Sequence, residues 1–223
     1  MNAPTLPELW HDYIAMEKYG YRWIWMGVPI IQEPQDIIAM QELIWRVKPD
    51  LIIETGIAHG GSLLFHASMM HLMGNGGVVI GIDIDIRDHA VKNLSGSNLK
   101  NHFIVIESDS VDERVVEIVT ELSGCCKTIL VSLDSNHTES HVLKELDAYA
   151  GLVTKGSYCI VWDTGLETFP QSLAEGKPFG KGNNPMTALN KWLPLHPEFE
   201  PDKEIENKMI VTSSPGGWLK RVG

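Results

Sequence analysis

Residues Leu51 to Ser62 read LIIETGIAHGGS: an apolar run, an acid, then a glycine-rich turn that opens a helix. A second acid, Asp83, closes the next apolar run, VVIGID. A parallel α/β sheet takes nucleotide-like ligands at the carboxyl ends of its strands, where glycine lets the backbone come close. Gly56, Gly60, Gly61 and Ser62 would form that turn, and Asp83 would accept hydrogen bonds from ribose hydroxyls. The pairing reads as a site for a cofactor that carries adenosine.

Spacing narrows the choice of cofactor. A phosphate-binding P-loop needs Lys followed by Ser or Thr after its last glycine. Here Leu63 follows Ser62, with no Lys near. A dinucleotide fingerprint needs G-x-G-x-x-G, whereas this chain has Gly56, then Gly60 and Gly61. The E-T-G-x-x-x-G-G spacing matches the first motif of S-adenosylmethionine (SAM) methyltransferases better than either alternative. Glu54 would then face the methionine amino group, directly or through water.

An acid stands at or just beyond the end of every strand candidate in the parallel run: Glu54, Asp83, Asp109, Asp134 and Asp163. Asp109, in ESDS, would accept from the adenine amino group, with Ser108 and Ser110 beside it; the alternative is a helix N-cap. Asp85 reads as solvated or capping. Asp134 borders the cofactor pocket and, with Asp163, suits a hard divalent cation such as Mg²⁺. A metal there would lower the pKa of a substrate hydroxyl and hold its oxygen in line with the methyl group. His137, three residues after Asp134 in LDSNHTESH, is placed to take the proton. His141, one turn on, reads as structural, and His59 as a residue near cofactor or substrate.

With 223 residues the chain suffices for one substantial α/β domain. A net charge of −11 without a basic cluster argues against nucleic acid as a partner. No apolar stretch approaches a membrane span, and the N-terminus lacks the pattern of a secretory signal. Cys125, Cys126 and Cys159 show neither metal spacing nor an even count. A reducing cytoplasm is the expectation.

Residues 1–48 form an expected N-terminal aromatic and helical cap, and residues 49–223 the cofactor-binding domain, the two making one unit. Trp10, Tyr13, Tyr19, Tyr21, Trp23 and Trp25 crowd the cap. YRWIWMGVPIIQEP fits neither helix nor strand; it lines a substrate mouth, forms a subunit contact or packs in the core, and self-association to a homo-oligomer is expected. Pro34 begins a helix with an apolar face at Ile37, Ile38, Met40, Leu43, Ile44 and Val47. Strands are expected at 51–54, 78–83, 103–107, 128–134 and 158–163, alternating with helices at 61–73, 87–93, 111–123, 140–149 and 186–193. This alternation implies a parallel sheet covered on both faces. Residues 208–212 and 218–222 read as a closing antiparallel hairpin, giving seven strands. The aperiodic stretch 165–185 is placed to lie over a substrate.

GVPIIQEPQDI, KPDLIIETGIAHGGS, GIDIDIR, LDSNHTESHVLKELDAYAGLVTKGSYCIVWDT and TSSPGGWLKRV together resemble the cephalosporin hydroxylase family. The resemblance runs through nearly the whole chain. It implies a Rossmann-like class I methyltransferase fold, related to macrolide-sugar and rhamnosyl O-methyltransferases that depend on a metal. It makes Asp134 the first metal ligand and His137 the base. One departure stands out: the family pattern has an acidic pair before Thr, and this chain has Trp162-Asp163-Thr164. Trp162 cannot ligate Mg²⁺, so the site is reduced to Asp134 and Asp163 unless Glu167 or water fills the place. Trp162 would instead wall the substrate. The expected function is SAM-dependent O-methylation of a small-molecule hydroxyl acceptor, sugar-containing or a specialised metabolite. The rivals are a hydroxylase, for which a second His is not evident, and a SAM-fold binding protein without catalysis.

Overall fold

Apolar residues alternate along each central strand, and that alternation divides two cores. In the computed structural model, which describes Leu6, Leu9, Trp10, Asp12, Tyr13 and residues 18–223 apart from the side chain of Leu173, a short hairpin (β1, Ile24–Trp25; β2, Val28–Pro29) precedes helix α1 (Pro34–Val47). There follow β3 (Leu51–Thr55), α2 (Gly61–Met73), β4 (Val78–Asp83), α3 (Asp88–Ser95), β5 (Phe103–Glu107), α4 (Glu113–Ser123), β6 (Ile129–Leu133), α5 (Glu139–Tyr149) and β7 (Tyr158–Val161). The chain closes with α6 (Pro185–Trp192), β8 (Phe199–Pro201), α7 (Lys203–Met209) and β9 (Trp218–Arg221). The seven-stranded sheet runs β5-β4-β3-β6-β7-β9-β8. The strands from β3 to β7 are parallel, and β9 lies antiparallel between β7 and β8.

Ile52, Val79, Leu130, Ile160 and Trp218 face a core built with α1, α2 and α3. Ile53, Ile80, Val131, Cys159 and Leu219 face the other, built with α4, α5 and α6. Strand order reverses between β3 and β6, so their carboxyl ends open the crevice where open α/β sheets take ligands.

Local chemistry sets the helix starts. Pro34 occupies the first turn of α1, where its missing N–H costs nothing. Asp112 caps α4 by accepting from Arg114 N at 2.9 Å, so Asp109 is not the cap of that helix. Asn184 and Thr187 form a reciprocal capping box on α6.

The expected hairpin is corrected. Residues 208–212 are not a strand: Asp202 accepts from Glu204 N and Ile205 N, at 3.0 and 3.3 Å, and starts a helix that runs to Met209. The antiparallel partner of β9 is Phe199–Pro201. The cap expected at 1–48 lies partly outside the described residues, at positions 1–5, 7, 8, 11 and 14–17. Among the described residues, no helix is long and apolar enough to cross a membrane.

Candidate functional site

The site grows from the junction of β3 and β6. Asp134 N donates to Thr55 O at 2.9 Å, which brings Gly56 against the Asp134 carbonyl. Gly56 has φ +81°, and a Cβ there would stand 2.0 Å from that carbonyl oxygen. Only glycine serves both demands. Gly60 (φ +87°) turns the chain into α2, and a Cβ on Gly61 would meet Pro29 O at 2.2 Å. The β1–β2 hairpin is thereby seated on the glycine turn.

Two cavities meet at Gly56 and Ser135. The larger, of about 380 Å³, is lined by Asp83, Asp109, Ser110, His141 and the Lys177–Phe179 segment among others. The smaller, of about 200 Å³, holds Asp134, His137 and Asp163, with Tyr21, His59 and Ser62 on its wall. The four acids Asp83, Asp109, Asp134 and Asp163 thus share one sheet edge but divide between two cavities.

Asp83 is held by backbone. Its Oδ2 accepts from Ile57 N and Ala58 N at 2.9 and 3.0 Å, and Oδ1 from Asp85 N at 3.0 Å. A carboxylate has about four acceptor positions, so roughly one is left for a hydroxyl. Asp109 Oδ1 accepts from Val111 N at 3.2 Å. Beneath the cavity, Glu145 accepts from Ser110 and Ser135, each at 2.6 Å, and Tyr149 donates to the Ser110 carbonyl. His141 Nε2 lies 3.0 Å from Ser110 Oγ. Burial acts to lower the pKa of His141, but the hydrogen bond and charge of Glu145 outweigh it and the net direction is up. His141 is therefore part of the cavity wall as well as of α5.

Glu54 is 1% exposed and sits beneath the turn. It accepts from Ser62 Oγ, and its other oxygen lies 2.7 Å from His66 Nδ1. Its link to the smaller cavity runs through Ser62, which lines it.

Asp134, His137 and Asp163 bring their ligand atoms within 4.8 Å of one another. His137 Nε2 is 3.4 Å from Asp163 Oδ2, and the imidazole meets the Phe179 ring edge-on, with centroids 4.9 Å apart. Burial, then the charges of Asp163, Glu54 and Glu145, hold the Asp134 carboxyl well above the usual carboxylate range; Gln32, donating to Oδ2 at 2.8 Å, works against that rise. Asp163 has φ +56°, a left-handed conformation that Asp tolerates better than most residues, and its N–H is fixed by Ser214 Oγ at 3.0 Å.

Trp162 does not wall the substrate. Period-two alternation along β7 sends it into the core with Tyr158 and Ile160. It is 3% exposed, donates to Ser132 Oγ at 2.8 Å and meets Trp218 edge-on. Glu167 does not fill the vacant ligand place either: its Oε2 accepts from Gly182 N and Asn184 Nδ2, tying down the 165–185 stretch. That stretch brings Lys177, Pro178 and Phe179 to the crevice. The aromatic cap divides as well. Trp25 packs on Phe65 with centroids 5.0 Å apart, whereas Tyr21 lines the smaller cavity.

Sequence reasoning missed Gln32 and Glu33. Both are buried, and Glu33 accepts from Trp10 Nε1 at 3.2 Å and from Gln35. Burial first, then Asp36 and Asp163, pushes the Glu33 carboxyl up to about 8. The only local signal was a polar pair set between apolar Ile30-Ile31 and a helix start.

The family model described as Rhamnosyl O-methyltransferase/CmcI matches residues 17–222. The rhamnosyl O-methyltransferase of Mycobacterium leprae (strain TN) is 30% identical over 199 residues, 88% of this chain and 82% of the relative. That of Mycobacterium tuberculosis (strain ATCC 25618 / H37Rv) is 29% identical over 221 residues, 98% of this chain and 86% of the relative. Among solved structures, an apo CmcI superposes with a TM-score of 0.66 at 21% identity, covering 91% of this chain and 77% of that one. A CmcI described with Mg and SAM gives 0.62 at 19% identity, covering 91% and 78%. These structural likenesses show the fold.

Proposed function

The chain belongs to the Rhamnosyl O-methyltransferase/CmcI family, and on that premise we propose that it transfers the methyl group of SAM to a hydroxyl of a small, sugar-containing acceptor, assisted by a divalent cation. The observation that carries this reading is the Asp134–His137–Asp163 cluster, set in a cavity that shares Gly56 and Ser135 with a larger one beside it. The larger cavity suits adenosine, with Asp83 toward the ribose and Asp109 and Ser110 toward the base. The methyl sulfonium would then lie near the Gly56–Ser135 junction, and the acceptor in the smaller cavity.

The cluster also fits a cation on its own evidence. A half-buried carboxyl whose pKa is driven up by desolvation and by a neighbouring carboxylate gains from positive charge, and the carboxylate oxygens of Asp134 and Asp163 form a usable hard donor pair that leaves the imidazole of His137 free for the proton. Mg²⁺ held by Asp134 and Asp163 would lower the pKa of the acceptor hydroxyl and offset the charge that develops on its oxygen. His137 takes the hydroxyl proton on Nε2, and Asp163, 3.4 Å away, stabilises the imidazolium that results. The acceptor oxygen attacks the methyl carbon as its bond to sulfur breaks, leaving S-adenosylhomocysteine and a methyl ether. Glu54, Ser62 and the three glycines keep the turn in shape for the methionine end of the cofactor.

The sugar acceptor is supported by the relatives, which are named for rhamnosyl methylation. The hydroxylase reading is disfavoured by the donor set, since non-haem iron oxygenases use two His and one carboxylate whereas this cluster has the reverse count. Calorimetric titration with SAM in EDTA and then in Mg²⁺, followed by transfer of labelled methyl to a panel of sugar hydroxyls, tests the proposal. SAM binding, with transfer that requires Mg²⁺, is the expected result. Absence of SAM binding would overturn it, and SAM binding with transfer indifferent to EDTA would remove the metal and leave the proton step to His137.

A further inference from the structure

The reaction occupies one edge of the sheet; the opposite edge carries a second cleft. Its volume is about 420 Å³, within the range of small-molecule sites, and it lies where the end of α1 meets the starts of β6 and β7 and the strand β9. Arg46, Lys155 and Lys220 line it and no carboxylate does, in a chain with 29 acidic and 18 basic residues. We propose that this cleft binds the phosphate group of a small molecule through Arg46, Lys155 and Lys220 above the buried hydroxyl of Ser157.

Arg46 is already fixed. Its Nη2 donates to Tyr158 Oη at 2.7 Å and stands 3.6 Å from Asp202, while its guanidinium carbon lies 5.5 Å from the centre of the Tyr158 ring. The remaining N–H groups of the fork stay available, and such a fork matches phosphate oxygens. Lys155 and Lys220 both line the cleft and make no ion pair or side-chain hydrogen bond with any described residue, so neither charge is compensated there. Ser157 lines the cleft, is 1% exposed, and its Oγ has no hydrogen-bond partner. A buried hydroxyl without a partner is costly, and an anion oxygen would supply one. Tyr158, which lines the cleft, and Asp202, which does not, position Arg46.

The occupant is a small molecule because the whole chain repels polyanions. A net charge of −11 opposes the approach of a nucleic-acid backbone or an anionic bilayer. A single phosphate group needs only the local field of the three cations. Strand residues rise about 3.3 Å each, so this cleft lies a strand length, roughly 15 Å, from the methyl-transfer crevice and does not compete with it.

The test is calorimetric titration of the whole protein, saturated with S-adenosylhomocysteine, with orthophosphate and with glucose 1-phosphate, each against sodium chloride at matched ionic strength. Both phosphates should bind saturably and displace one another, and the tighter of the two identifies whether the free ion or an organic phosphate is the natural occupant. Lys155→Ala/Lys220→Ala should weaken binding at least tenfold, and Ser157→Ala by a smaller factor. Methyl transfer and the unfolding midpoint in chloride should stay unchanged in the lysine double variant, which reports that its fold is intact. Equal affinity in the double variant, a chloride response of the same size, or no saturable binding below about 10 mM would each overturn the proposal.

Discussion

The two cavities that meet at Gly56 treat their carboxylates in opposite ways. In the larger one, Asp83 is surrounded by three backbone N–H donors, two from the turn it supports, at Ile57 and Ala58, and one from Asp85. In the smaller one, Asp134 is half-buried, receives Gln32, and faces further carboxylates from Asp163, Glu54 and Glu145. The first is built in a charge-satisfied state and needs only a neutral hydroxyl. The second is held in a frustrated state, which a cation or a proton relieves. The contrast separates recognition of the cofactor from activation of the acceptor on the two sides of the β3–β6 junction.

The largest expected effect falls on the activation side alone. His137→Ala should slow methyl transfer by about 10²- to 10⁴-fold while the SAM dissociation constant, read by calorimetry, stays nearly unchanged; an equal loss of both would merge the two cavities into one functional unit. Gly56→Ala strikes the junction, since its Cβ would overlap the Asp134 carbonyl. It should cost about 3 kcal/mol of folding stability and damage SAM binding and transfer together, as seen by denaturant unfolding and calorimetry. Asp83→Asn should do the converse of the His137 change. SAM binding should weaken about 10- to 100-fold, with Mg²⁺ dependence of the residual transfer preserved.

The smallest effect is one of pH. The Glu33 carboxyl is raised from 4.5 to about 8, chiefly by burial and then by Asp36 and Asp163. The folded chain therefore keeps a proton that the unfolded chain releases above pH 4.5, so stability falls as pH rises from about 4.5 to 8. Asp36, raised to about 6 mainly by burial, adds to the same trend over its lower part. Glu33→Gln should flatten the slope of unfolding midpoint against pH and gain about 1–2 kcal/mol at pH 8. An unaltered slope would assign the pH dependence to a group other than Glu33.

The unequal legibility of the two cavities has the same origin. Glu54, Gly56, Gly60, Gly61, Ser62 and Asp83 lie in two adjoining strand–turn units, so an acid and a glycine spacing were enough to single them out. The strands themselves were legible because buried parallel strands read as apolar runs bounded by turns. Residues 208–212 misled because Met209-Ile210-Val211 is an apolar run, whereas the cap at Asp202 and the left-handed turn at Ile210 (φ +68°) decide the local backbone. Trp162 was placed by type rather than by parity, and parity on β7 sends it into the core. Gln32 was out of reach for another reason: it meets Asp134 across 102 residues, and no local pattern encodes a partner at that distance.

That separation in sequence also bears on the order in which the chain assembles. The bond from Ile57 N to Asp83 spans 26 residues, whereas Gln32 to Asp134 spans 102 and Ser213 N to Asp36 spans 177. Closing a loop costs more as it lengthens, by about 0.6 kcal/mol for each doubling. The turn that greets the cofactor can therefore form while the wall around the acceptor is still open. During refolding, pulsed hydrogen exchange should protect the amides of Ile57 and Ala58 before that of Ser213, so that the nascent enzyme becomes able to hold its methyl donor before it can spend it.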